Sequence, residues 1–109
     1  MSLTVADRLD IGQLSQRYAW ALDHGDYEGF ADCFVASDGC VEIRSGQGDS
    51  SGVEKHQGRV RLMEFARKHY ETTKLQLKHI ICSELFEEVS PGLAHYKAQF
   101  ICFRPGRRD

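Results

Sequence analysis

No run of apolar residues in this sequence approaches the roughly 20 needed to cross a bilayer as a helix, which argues against a membrane span. Nor is there an excess of charge of either sign. Fourteen Lys and Arg against sixteen Asp and Glu leave a formal net charge of −2, too little to draw in nucleic acid or an anionic membrane over distance. The one basic cluster, Arg104, Arg107 and Arg108, is small and terminal. The four cysteines, Cys33, Cys40, Cys82 and Cys102, form no CxxC, so neither a zinc ribbon nor a dithiol redox motif is expected, and they are read as reduced, half-buried thiols. The opening MSLTVADRLD has acids in place of a basic n-region and no apolar h-region, so no signal peptide is expected and the cytoplasm is the default location. Gly-x-Ser-x-Gly is missing, and no Gly-Lys-Ser/Thr follows the glycine-rich stretch Ser45–Gly58. A serine-hydrolase elbow and a phosphate loop are therefore not supported.

What is present fits one domain over residues 1–109, with 41% apolar and 28% charged residues, ordinary values for a globular protein. Val5, Leu9, Leu14, Tyr18 and Leu22 recur near helical spacing behind Thr4, a natural N-cap, and predict a helix over Val5–His24. Gly25 suits its C-terminal cap. Asp26 caps a short helix over Tyr27–Phe34, and Ser37-Asp38-Gly39 turns into a strand, Cys40–Arg44. Ser45–Gly58 reads as a loop or loose hairpin. Val60–Thr72 is a third helix, with Leu62, Phe65, Ala66 and His69 on one face. Leu75–Val89 and Leu93–Phe103 then read as strands joined at Ser90-Pro91-Gly92. Leu75, Leu77, His79, Ile81, Ser83 and Leu85 share a face of the first, and Ala94, Tyr96, Ala98, Phe100 and Cys102 a face of the second. The predicted class is α+β, with helices on one side of a curved sheet.

Two residues stand out chemically. Asp23 ends the first helix behind the apolar Tyr18–Leu22, at the lip of whatever that helix covers; it serves a pocket or simply closes a helix. His79 sits mid-strand between Leu77 and Ile81, where a buried imidazole needs a partner. His79 and Cys82 lie three apart on a strand and face opposite ways, and the other histidines (His24, His56, His69, His95) show no ligand spacing, so no metal is expected. The adjacent Glu87 and Glu88 diverge and read as a solvated strand end. Trp20, Tyr18, Phe30, Phe34 and Phe65 suit a core, and some of them also suit a pocket wall.

The segment RYAWALDHGDYEGFADCF, the strand around Asp38–Ile43, Gly58-Arg59, Lys78-His79 and Ala94 together resemble the SnoaL-like branch of the nuclear transport factor 2-like (cystatin-like) superfamily. The resemblance runs from about residue 5 to residue 103. It implies a cone in which three N-terminal helices pack on a strongly curved, mainly antiparallel sheet around an apolar pocket. In catalytic relatives the helix-end acid and the strand histidine share that pocket, roles that fall here on Asp23 and His79, with Tyr18 or Tyr96 as a phenol beside a developing enolate. Trp20, Phe30, Phe34, Phe65, Ile81 and Phe100 would then line the ligand site, with no cofactor. Leu22 stands where dehydratase relatives often carry tyrosine, and Ser83 where many carry asparagine.

The family usually adds one or two strands after the position of Phe103, so the C-terminal strands are expected to be missing or short. A partner would cover the gap, most simply a second copy paired through the sheet. The leading functional expectation is a cofactor-free lyase or isomerase acting on a hydrophobic carbonyl compound. The alternatives are a non-catalytic hydrophobic-ligand binder and an accessory subunit like the small subunit of ring-hydroxylating dioxygenases.

Overall fold

The structure, a computed structural model, describes residues 3–45, 52–74 and 77–103. Its elements run α1 (Val5–His24), α2 (Tyr27–Ala31), β1 (Cys40–Ser45), β2 (Gly52–Gln57), α3 (Arg59–Thr73), β3 (Lys78–Ser90) and β4 (Leu93–Phe103). Thr4 and Asp7 close a reciprocal box at the start of α1, each backbone N–H donating to the other's side chain at 3.0 Å. Two of the orphan donors at a helix start are satisfied in this way. Gly25 ends α1 with φ 73° and donates its N–H to the Ala21 carbonyl. A side chain there would be strained by the backbone angle and would meet the Tyr70 ring at 3.0 Å. Asp26 accepts from Gly29 N–H at 2.9 Å to start α2, which stops at Ala31, three residues short of the expected end.

The expected α+β class holds, but the single strongly curved sheet does not. Among the described residues β1 pairs only with β2 and β3 only with β4, giving two separate antiparallel hairpins. The helices are not grouped at the N-terminus either, because α3 follows the first hairpin. Residues 52–57, within the stretch expected to be a loop or loose hairpin, are a regular strand in register from Cys40↔Gln57 to Ser45↔Gly52. The two C-terminal strands are present and long, thirteen and eleven residues, and the further strands expected to be missing or short would follow Phe103, outside the described residues. The expected start of the first long strand at Leu75 and the Arg104–Arg108 cluster lie outside the described residues.

The core is small and sits where α1, α2 and α3 meet over β1. Phe30, Leu62 and Ala66 are fully enclosed, joined by Ala21, Leu22, Ala31 and Val41, with Tyr18, Phe34, Met63 and Phe65 packed around them. Only the C-terminal part of α1 contributes. Val5 and Leu9, expected on its buried stripe, are 75% and 68% exposed; the cleft is lined instead by Asp7, Ile11, Leu14 and Tyr18, which leaves Val5 and Leu9 on the opposite side of the helix.

A bulge sets the faces of the long hairpin. Register moves between Cys82 and Leu85, where Ser83 takes a left-handed φ of 55°. The extra residue reverses the alternation. His79, Ile81, Phe86 and Glu88 pair across from Cys102, Phe100, Tyr96 and Ala94 and share the inner face. Leu85, expected inward, turns out to solvent.

Candidate functional site

Asp23 and His79, 56 residues apart in sequence, meet. The Asp23 carboxylate receives the His79 backbone N–H at Oδ2, 2.8 Å, and faces His79 Nδ1 with Oδ1 at 2.5 Å. Both side chains are nearly enclosed, 6% and 8% exposed. A carboxylate only accepts hydrogen bonds, so the proton lies on Nδ1, and the unprotonated Nε2 of the neutral ring is left as a base. Helix α1 supplies the acid at its buried last turn, and β3 supplies the histidine at its second residue.

A third group, which the sequence placed on the inward face of α3 without a role, completes the cluster. The His69 ring lies 5.6 Å from that of His79. Its Nε2 is shielded from solvent and has no hydrogen-bond partner among the described residues. Burial holds the His69 pKa below the ordinary histidine value; His79 pushes the same way and Asp23 opposes both. Ligand-capable atoms of Asp23, His69 and His79 all fall within 4.8 Å of one another. No spacing rule on a single element could find this set, because three elements bring one residue each. Since both carboxylate oxygens of Asp23 already engage His79, the cluster is arranged for holding a ring and moving a proton.

The structure separates the remaining expected residues. Tyr18, Phe34, Ile81 and Tyr96 line a cleft of about 1220 Å³ between α1 and the inner face of β3–β4. Asp23 and His79 border a smaller recess of about 250 Å³ with Trp20, His24 and Lys78. The two are neighbours, because Ile81 is the next inward residue after His79 on β3. Burial pushes the Tyr18 phenol pKa up, so it stays a hydrogen-bond donor. Phe100 packs on His79 with ring centroids 5.3 Å apart, and Phe65 touches the rings of His56, His69 and Phe30.

Phe30 is wholly enclosed and is core, not a pocket wall. Trp20 is 65% exposed, stacks on His24 and borders the recess at Asp23 and His79 rather than the larger cleft. The Tyr96 hydroxyl lies 2.6 Å from Glu84 Oε2 and 2.9 Å from Ser15 Oγ. Tyr96 pairs opposite Phe86, while His79 pairs opposite Cys102, a separation of about 20 Å along the strand. The Tyr96 phenol therefore cannot serve the same reacting atoms as His79. Burial raises the thiol pKa of both Cys33 and Cys102, so neither is an activated thiolate.

No curated protein matches the sequence. A solved structure from Nostoc punctiforme, described as a domain of unknown function with a cystatin-like fold, superposes with a TM-score of 0.70 at 19% identity. The match takes in 98% of this chain and 61% of that one, so the chain spans about three-fifths of the neighbour's length. The family model for the SnoaL-like domain matches residues 3–103, and the chain belongs to the SnoaL-like family of the nuclear transport factor 2-like superfamily.

Proposed function

We propose that this protein is a cofactor-free lyase or isomerase acting on a hydrophobic carbonyl compound. The observation that carries the reading is the enclosed contact of Asp23 with both the backbone N–H and Nδ1 of His79. Held in this way, His79 Nε2 removes a proton from the carbon next to the carbonyl, and the C–H electrons pass into an enolate. Asp23 stabilises the imidazolium that forms. A protonated Tyr18 donates a hydrogen bond to the enolate oxygen. Return of the proton to another carbon completes an isomerisation. In a β-hydroxy substrate the enolate collapses, and the hydroxyl departs as water with the imidazolium proton. The unpartnered His69 Nε2 accepts a hydrogen bond from that hydroxyl and positions it.

The test needs no known substrate. A panel of hydrophobic ketones in D2O, followed by NMR, reports exchange of protons next to the carbonyl. Exchange by the native protein that His79→Gln abolishes is the expected result. Exchange that His79→Gln leaves unchanged, or none across the panel, overturns the reading.

A non-catalytic binder is the second reading, favoured by the apolar walls of the cleft. Under it a ligand raises the melting temperature and is recovered unchanged. Pairing of two copies through the sheet is also proposed. Ile80 and Ile101 lie opposite each other on the outer face of β3–β4, 53% and 58% exposed. Sedimentation should show a dimer that Ile101→Lys dissociates; a native monomer refutes the pairing.

A further inference from the structure

The cleft extends well beyond the Asp23–His79 centre, to the tip of the β3–β4 hairpin, and there it holds a polar atom with nothing to bind. Glu87 and Glu88 were expected to be a solvated pair. Glu87 is, reaching the exposed His95 at 3.8 Å. Glu88 points inward after the bulge, opposite Ala94. Its Oε2 is shielded from solvent and has no hydrogen-bond partner among the described residues. A carboxylate oxygen in that position is costly unless a donor meets it.

The surroundings say which donor. Among the described residues the cleft lining contains Asp7, Asp10, Glu42 and Glu88 but no Lys, Arg or His. Two of these acids are already balanced: Asp7 by the start of α1, where it completes the Thr4 box, and Glu42 by its ion pair with Arg44. Asp10 and Glu88 remain, above walls formed by Ile11, Leu14, Leu93 and Ala94. An anion meets only repulsion there, whereas an ammonium group attached to an apolar body satisfies both the walls and the orphaned oxygen.

We propose that the hairpin-tip half of the cleft binds an apolar amine, with Glu88 as the acceptor of its ammonium group. Glu88 lies nine residues beyond His79 on β3, about 30 Å of strand. The site is therefore separate from the reacting centre and stands whether or not His79 is catalytic.

Calorimetric titration with naphthylethylamine, naphthylethanol and naphthylacetate at neutral pH compares one apolar body carrying three charge states. The amine should bind about tenfold more tightly than the alcohol, as expected for a charge-assisted hydrogen bond out of water, and the acetate more weakly than both. Glu88→Gln should bring the amine down to the level of the alcohol without altering the alcohol. His79→Gln should change none of the three affinities. Equal affinities, no binding of the amine, or an amine preference that survives in a folded Glu88→Gln protein would each overturn the proposal.

Discussion

One carboxylate, Asp23, holds His79 at two points, Oδ2 on the backbone N–H at 2.8 Å and Oδ1 at Nδ1, 2.5 Å away. The contact ties the end of α1 to the start of β3 and fixes the ring tautomer in the same step. Its loss should therefore cost stability as well as chemistry. Asp23→Ala leaves two buried donors unpaired and should lower unfolding free energy by about 3 kcal/mol. Asp23→Asn keeps one accepting oxygen and should cost less. Urea denaturation measures both. Each variant should also lose the ketone exchange activity, because neither holds the Nδ1 proton in the native way.

His69 makes the stability of the fold sensitive to mild acid. Its folded pKa is depressed, chiefly by burial, while in the unfolded chain it titrates near 6.5. Below that value the unfolded state binds a proton that the folded state resists. Stability is thus intact above about pH 6.5 and declines as pH falls towards the lower folded pKa. Paired urea titrations at about pH 7 and pH 5 should show the native protein losing more stability than His69→Gln. Equal losses in the two proteins would mean that His69 is not the group responsible.

Phe30 separates core from pocket. It is fully enclosed and packs on Tyr18, Phe34 and Phe65 at centroid distances of 5.1, 5.2 and 5.7 Å. Phe30→Ala should cost about 3–5 kcal/mol by opening a cavity, seen as a large drop in melting temperature. Phe34→Ala, at the cleft wall, should cost less and act mainly on ligand affinity.

Helices and turns were legible in the sequence wherever a local cause acts. Thr4, Gly25 and Asp26 do their capping through neighbours three or four residues away, and the bounds of α1 and β4 follow the expected ones. What could not be seen depended on partners distant in sequence or on backbone detail. The Asp23–His79 contact was reached through resemblance to a family, and His69 joins it only because α3 packs beside α1 and brings its ring to 5.6 Å from that of His79. The division into two sheets depends on which strands pair, and an alternating pattern does not encode that. Nor does a pattern with a period of two show where one extra residue enters. That is why Leu85 was placed inward and Glu88 in solvent.

Ser83 is that extra residue, and two changes test its role. Its left-handed φ of 55° is unfavourable for any side chain, by about 1 kcal/mol. Ser83→Gly should therefore raise the melting temperature slightly and leave the faces of the hairpin as they are. Deleting Ser83 should keep them as well. With the extra residue gone, the alternation runs straight from Ile81 through Glu84 to Phe86 and Glu88, so Leu85 stays outward and Phe86 stays against the Tyr96 ring that it meets at 5.3 Å. Glu88 stays inward with Phe86. Both variants should therefore retain the amine preference of the cleft, read by the same calorimetric titration. A folded deletion variant that loses the preference would show that the bend at the bulge, and not the alternation alone, sets the position of Glu88.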